Sequence, residues 1–178
     1  MIGRFENFPL KVHGTAKICS IFASHTRIYS FILGALSNLN CVKETNILKL
    51  FDEERGFPTV ISFEVGLADG IFFNYLDQDT LASELCRLSN SSTLDILDFL
   101  IIVKYHRAKG GRAIPLRFDH FLLRFSLSAK TLDLSIFHIQ GSRRIQIRDL
   151  LEYVVIMINK NLKKKGFKPL TIEKIDAL

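Results

Sequence analysis

The chain has 178 residues, which suits a single domain over residues 1–178. Hydrophobic residues make up 48% and charged residues 24%, which excludes an intrinsically disordered chain. The net charge of +6 allows an anionic partner, and 15 phenylalanines without a tryptophan indicate a surplus of interior or cavity surface.

The first half of the chain predicts a strand, a helix and several short strands. Apolar and polar residues alternate over Leu10–Phe22, and Ser24 then caps a helix. The apolar residues of this helix recur at helical spacing: Ile28, Phe31, Ile32, Ala35, Leu36 and Leu39. Strands are predicted at Asn46–Phe51, Thr59–Val65 and Ile71–Leu76, and the short polar turns between them indicate antiparallel pairing.

The second half predicts longer strands and a long helix. Leu81–Leu88 suits either a short helix or a strand, whereas Leu94–His106 has the β-branched content of a buried strand. Leu116–Leu127 and Leu132–Gln140 form a hairpin, and the last helix covers Ile147–Lys165 before a tail that adds a short strand. This order predicts an α+β fold in which a curved antiparallel sheet grips the long C-terminal helix, with a helix after the first strand.

The C-terminal helix is apolar on most faces between Tyr153 and Ile158. Such a helix is buried on more than one side, so something beyond the sheet must touch Val155 or Met157. The first helix, a second subunit or a ligand could do so. A homodimer through this helix is therefore one of the expected partners.

The last hairpin predicts its own register. A two-residue turn pairs Ser128 with Thr131, and every apolar residue then faces an apolar partner, which places His138 opposite Phe121 on the apolar face. Asp119 and Gln140 would share that face. The turn at residues 110–111, a Gly-Gly pair before the hairpin, would bring Tyr105 to the same end of the sheet.

An apolar wall with a few polar groups is what a pocket for a mostly apolar ligand requires. The predicted ligand-binding residues are Tyr105, Asp119, Phe121, Phe125, Ile136, His138, Val154 and Ile158. The alternatives are a satisfied core histidine for His138 and an exposed strand end for Asp119. A third reading makes the two an acid–base pair. Because no catalytic signature is present, we expect no catalytic residue, no metal and no cofactor.

Cysteine usage and the termini suggest a compartment. Cys19, Cys41 and Cys86 are an odd number without metal-ligand spacing, which is typical of reduced, buried thiols. The first residues lack a signal-peptide pattern and no apolar run is long enough to span a bilayer. We therefore expect a cytoplasmic protein.

The densest basic patch is Lys160–Lys168. Its cations could simply complement the carbonyl groups at a helix end. The alternative is a surface for nucleic acid or an anionic membrane.

Three segments resemble the START-like (SRPBCC, helix-grip) superfamily. They are the strand Val12–Ile18, the helix Arg27–Leu33 and the entry Gly141–Arg144 into a long helix, with antiparallel strands between them. The resemblance implies a curved sheet closed on a long helix over an apolar cavity. Because the superfamily contains carriers, cyclases and oxygenase domains, it does not fix a function. The function we expect is binding of a small apolar or lipid-like ligand in the cavity between the sheet and the C-terminal helix, and we expect no catalysis because no catalytic signature is present.

A second resemblance concerns Asp133–Phe167. This strand, turn and helix ending in lysines looks like a repeat of the TATA-binding protein. It implies nucleic-acid binding as the alternative function, although the two halves of the chain align poorly.

Overall fold

A computed structural model describes residues 1–19, 25–40, 43–44, 59–90, 96–109, 112–128 and 131–178. The helices in these ranges are α1 (His25–Leu39), α2 (Gln78–Asn90) and α3 (Ile147–Lys164). The strands are β1 (Gly3–Arg4), β2 (Gly14–Cys19), β3 (Lys43–Glu44), β4 (Thr59–Asp69), β5 (Phe72–Tyr75), β6 (Ile96–Lys109), β7 (Arg112–Leu127), β8 (Thr131–Gln140) and β9 (Thr171–Ala177).

The described strands form one antiparallel sheet. Their order is β1-β5-β4-β6-β7-β8-β2-β9, and β3 pairs with β4 beside this path. The C-terminal helix α3 lies against β2, β8 and β9. Helix α1 was expected after the first strand, and it follows β2, the first long strand, which the short strand β1 precedes. The α+β class predicted from the sequence is confirmed.

The predicted register of the last hairpin is confirmed. Phe121 pairs with His138 and Phe125 pairs with Leu134. A bulge follows, so that Gln140 pairs with His120 and its amide Nε2 lies 2.8 Å from His120 Nδ1. The extra residue turns Gln140 away from Asp119, which corrects the expectation that the two share a face.

The inner face of the sheet is covered by α1 and α3. All six predicted apolar residues of α1 are buried, and the amide of Asn161 on α3 donates a hydrogen bond to the Phe31 carbonyl of α1 at 3.1 Å. Val155 and Met157 are 2% and 8% exposed. Helix α1 packs against α3, so the burial of Val155 and Met157 requires neither a second subunit nor a ligand, the other two alternatives that the sequence left open.

The outer face carries a second, smaller core. It consists of Phe73, Leu100, Ile102 and Leu122, and the N-terminal segment covers it with Ile2, Phe5 and Phe8. The sequence did not predict this cover. The first long strand begins at Gly14 rather than at Leu10, and Leu10 itself is fully exposed.

Of the other predicted elements, one ambiguous segment is resolved as a helix, and some lie outside the described residues. The ambiguous segment Leu81–Leu88 belongs to helix α2, where Leu88 is buried on the core. The predicted strand Asn46–Phe51 and the cap Ser24 lie outside the described residues, and so does Cys41. Cys19 and Cys86 are exposed, so the prediction that the thiols are buried is wrong for these two. Within the described residues, no helix is both long enough and apolar enough to cross a membrane.

Candidate functional site

The apolar residues predicted to line an interior cavity are packed. Each of them has 0% of its surface exposed: Phe121, Phe125, Ile136, Val154 and Ile158. A side chain that borders a water-sized space would have some accessible surface, so no such space adjoins these five. The ring of Phe125 instead meets that of Phe99 edge-on, with centroids 5.8 Å apart. A ligand site among these residues would require the core to open.

The predicted polar residues do lie together, at one end of the inner face. The hydroxyl of Tyr105 donates a hydrogen bond of 2.7 Å to Asp119 Oδ2. His138 Nε2 lies 3.6 Å from Asp119 Oδ1, and the His138 ring tilts against Phe121 with centroids 5.0 Å apart. Tyr105 lies on β6, Asp119 on β7 and His138 on β8. The three come together because β7 is flanked by β6 and β8.

The chain leaving β8 wraps around this carboxylate. The backbone N–H groups of Arg143 and Arg144 donate to Asp119 at 2.8 Å and 3.1 Å. Gly141 has φ +118° and Arg143 has φ +46°, and this left-handed backbone lets successive N–H groups converge on an anion. A Cβ at residue 141 would collide with Asp119 Oδ1, so glycine is required there.

Asp119, Tyr105, His138 and the backbone of Arg143 and Arg144 form a buried cluster, which we call the clasp. It stabilises the turn after β8 and is not an accessible catalytic pair. Asp119 is 0% exposed, which corrects its alternative reading as an exposed strand end, and it accepts three hydrogen bonds. Burial, together with the bond to Asp119, raises the pKa of Tyr105 well above its usual range, so the phenol stays a neutral donor. Because a substrate could reach this carboxylate only if the fold opened, the acid–base hypothesis loses its geometric basis.

An open groove lies beside the clasp, at the start of α3. Its volume is about 850 Å³. It is lined by Val12, His13, Gly14, Thr15, Arg143, Ile145, Gln146, Ile147, Arg148, Ile175, Asp176, Ala177 and Leu178. β2 and β9 form one wall because Gly14 pairs with Ala177. The helix can approach this wall because Gly14 has no side chain, and a Cβ there would collide with Ile147 Cγ2.

The groove has apolar walls and a cationic rim. Arg143 donates to the carbonyl of Leu178, and Arg148 pairs with Glu152 at 3.1 Å while 64% of its side chain is exposed. Gln146 precedes α3 without a side-chain capping bond, so the N–H groups of the first turn add positive partial charge. Asp176 is the one acidic side chain among these lining residues, and it pairs with Lys174 at 2.6 Å.

His13 connects the groove to the sheet. Its Nδ1 accepts a hydrogen bond of 2.9 Å from the backbone N–H of His138, and its ring stacks on Phe137 with centroids 4.6 Å apart. Burial, the charge of Arg143 and the proximity of His138 lower the pKa of His13. A neutral ring is required for this contact because a protonated Nδ1 cannot accept a hydrogen bond.

None of the eight predicted site residues lines the groove. The groove depends on the pairing of β9 with β2 across almost the whole chain, and the sequence predicted the tail strand without its partner. Gly14, which lies within the predicted first strand, was the available signal, since glycine in a strand indicates a close approach. The described residues contain no group of three or more His, Cys, Asp or Glu side chains that could hold a metal ion.

The chain matches no protein-family model, and comparison with curated proteins and with solved structures yields no significant match. The helix-grip relationship stays a prediction, and the function is argued from the geometry of this chain.

Proposed function

We propose that this protein is a binding module that takes a small ligand with an apolar body and an anionic end in the groove between α3 and the β2–β9 pair. The observation that carries the proposal is the juxtaposition of apolar walls and two arginines in one open space of about 850 Å³. The proposal keeps the small, partly apolar ligand expected from the sequence and moves its site from the interior to the rim of the fold.

The chemistry of the lining sets the ligand class. Ile175 and Val12 offer apolar surface, which favours burial of a hydrocarbon body. Arg148 and Arg143 offer guanidinium groups, which bind carboxylate or phosphate oxygens in pairs. An anionic end would also gain from the start of α3, where the N–H groups point out of the helix.

The test is calorimetric titration of the protein with decanoate and with the uncharged decanol. Decanoate is expected to bind more tightly because only its carboxylate engages the arginines. Arg148→Gln should weaken decanoate binding about fivefold, the equivalent of about 1 kcal/mol for an exposed ion pair. Decanol binding should not change.

Arg87→Gln is the matched control. Arg87 is also an exposed helical arginine paired with a glutamate, Glu84, at 2.7 Å, but it lies on α2 and not in the groove lining. Its decanoate affinity should equal that of the unmodified protein. Ala177→Phe should block the groove, and decanoate that still binds this variant with unchanged affinity would locate the ligand elsewhere, including the interior predicted from the sequence.

Nucleic-acid binding is the second candidate, and the exposed lysines in the last turn of α3 and just after it favour it. Lys163, Lys164, Lys165 and Lys168 are all exposed, and the net charge is +6. Against a TATA-binding-like mode, Phe5 and Phe8 cover part of the outer sheet face, on which none of the described helices packs. Titration with duplex DNA from about 50 mM to about 200 mM salt tests this candidate, since phosphate binding weakens steeply over that range.

A helix-grip relationship is supported by the position of α3 against the sheet and by the pairing of the first long strand, β2, with the last strand before α3, β8. Helix α2, between β5 and β6, departs from an uninterrupted run of strands. An experimental structure with bound decanoate would test the relationship and the site together.

A further inference from the structure

The two ends of the sheet differ in the length of their edge strands. At one end β1 covers two residues, whereas at the other end β9 covers seven, Thr171–Ala177. Among the described strands, β9 pairs with β2 alone, so one of its backbone edges is open. Natural sheets commonly end in a short strand or in one that contains proline, because a long open edge can pair with another chain. The sequence of β9 contains no proline, so this edge of the sheet can accept a further strand.

The backbone of β9 presents hydrogen-bonding groups on this open edge. The N–H of Leu178 donates to the His13 carbonyl of β2 at 2.9 Å. Because successive residues of an antiparallel strand point their N–H and C=O groups to opposite sides, those of Ala177 and Ile175 point away from β2. The bulge in the β2–β9 register lies before this range and leaves Glu173 as the extra residue of β9. Residues 174–177 are therefore regular, and their outward groups can extend the ladder.

The side chains of this regular part lie on two faces. Ile175 pairs with Ala16 and is partly buried against the inner core. Lys174 and Asp176 lie on the outer face, where 69% and 60% of their side chains are exposed, and they pair with each other at 2.6 Å. An ion pair this exposed contributes little to stability, so both charges can take other partners. The order cation, isoleucine, anion is complementary to itself when two such strands run antiparallel.

We propose that the open edge of β9 binds the β9 strand of a second copy of this chain, antiparallel, about a two-fold axis at Ile175. In this register Ile175 lies opposite Ile175 of the second copy on the inner face. Lys174 lies opposite Asp176 of the second copy on the outer face, and the symmetry repeats this ion pair. Backbone hydrogen bonds between the two Ile175 residues close the ladder, so the two sheets join into one.

The charges select this register over its neighbours. A two-fold axis at Lys174 would place two lysines opposite each other, and an axis at Asp176 would place two aspartates opposite each other. Like charges directly opposite in a sheet are destabilising. A shift of one residue would bring outer side chains opposite inner ones along residues 174–177. Charges on an edge strand commonly prevent pairing, but here their signs alternate so that a second copy matches them.

The dimer formed in this way is weak and reversible. One short strand from each copy buries less than the roughly 1,200 Å² of a stable protein–protein interface. We therefore expect a dissociation constant on the order of 100 µM, and weaker association in high salt because the two ion pairs are exposed. The contact uses the sheet edge and not α3, the helix through which the sequence suggested a homodimer.

The test is sedimentation velocity of the full chain from about 10 µM to about 500 µM, a range that brackets the expected dissociation constant. Lys174→Glu places carboxylates opposite each other in both ion pairs, and Asp176→Lys places ammonium groups there. Each variant alone should associate at least about tenfold more weakly than the parent. An equimolar mixture of the two variants restores opposite charges at both positions and should form dimers again.

Glu173→Lys is the matched control. It makes the same change of charge as Asp176→Lys on the same exposed strand, but its position lies opposite Ala177 of the second copy, so the dimer should persist. Thermal unfolding of the charge variants should match the parent, because the replaced side chains are exposed. Arg148→Gln should keep the dimer, which separates a failure of this proposal from a failure of the groove proposal.

Three results would overturn the proposal. The first is a parent chain that stays monomeric over the whole concentration range. The second is a dimer that persists in both Lys174→Glu and Asp176→Lys, because the interface would then lie elsewhere. The third is a mixture of these two variants that stays monomeric, or a loss of the dimer in Glu173→Lys as large as in Asp176→Lys, because either would refute the register.

Discussion

The two faces of the sheet are covered in different ways. On the inner face, α1 and α3 bury a continuous core, and Phe121, Phe125 and Val154 have no exposed surface. On the outer face, the N-terminal segment, which contains the short strand β1, covers a small apolar patch with Phe5 and Phe8 and leaves Phe118 53% exposed. Helical cover thus supplies the stability of the fold, while the partial cover of the outer face leaves surface for partners.

Polar side chains also differ between the interior and the surface of the protein. Asp119 faces inward and is satisfied by three hydrogen bonds, as burial of a carboxylate requires. Arg148 at the groove and Arg117 on β7 are exposed and can change partners. Asp119 therefore stabilises the turn after β8, whereas the residues suited to binding lie on the rim.

The largest expected effect tests the contrast between the faces directly. Phe125→Ala on the inner face should lower the free energy of unfolding by about 3–5 kcal/mol, because a fully buried ring leaves a cavity. Phe5→Ala on the outer face should cost about 1–2 kcal/mol, because that ring is only partly buried beside Phe73. Urea unfolding of both variants measures the difference.

Equal losses in the two variants would show that the N-terminal segment is as important to stability as the helical core. A loss below about 1 kcal/mol for Phe125→Ala would contradict close packing of the inner face and would favour the interior cavity predicted from the sequence.

The sequence predicted those features of the fold that depend on the local pattern of apolar and polar residues. The alternation along Leu116–Leu127 and Leu132–Gln140 fixed the hairpin register, because a slip of one residue would turn apolar side chains to the wrong face. The stripe of α1 was correct in all six residues for the same reason. The position of Tyr105 beside Asp119 also followed from the predicted order of strands.

Features that depend on distant or irregular segments were missed. The N-terminal segment has no periodicity, so its cover of the outer face had no signal in the sequence. The groove requires β9 to pair with β2, a contact between the two ends of the chain. The alternation from Leu10 was misleading because those residues continue the irregular segment rather than β2.

The second prediction concerns the buried clasp. Tyr105→Phe removes one of the three donors to Asp119 while keeping the ring, and the free energy of unfolding should fall by about 1–3 kcal/mol. Because the hydroxyl is buried in the folded state, no water easily replaces it. Chemical unfolding measures the change, and an effect within about 0.5 kcal/mol of the parent would show that Asp119 is not dependent on this donor.

The smallest expected effect is a pH dependence of the free energy of unfolding, and it arises at His13. The pKa of His13 is lowered from 6.5 by burial, by Arg143 and by His138, so the unfolded chain binds a proton more readily than the folded chain. The stability from neutral His13 is therefore present above pH 6.5 and is lost as the pH falls through the lower, folded-state pKa. Burial also lowers the pKa of His120, which adds a change of the same sign.

His13→Asn isolates the contribution of His13, because asparagine keeps an acceptor for the His138 N–H and does not titrate. Between about pH 7.5 and about pH 5, the variant should lose less unfolding free energy than the parent, and the remaining loss belongs to His120 and other groups. Equal pH dependence in the two proteins would show that His13 does not couple protonation to the fold. A smaller loss in the variant, together with acid-induced proteolysis confined to the N-terminal segment, would show that protons release the cover of the outer face before they affect the helical core.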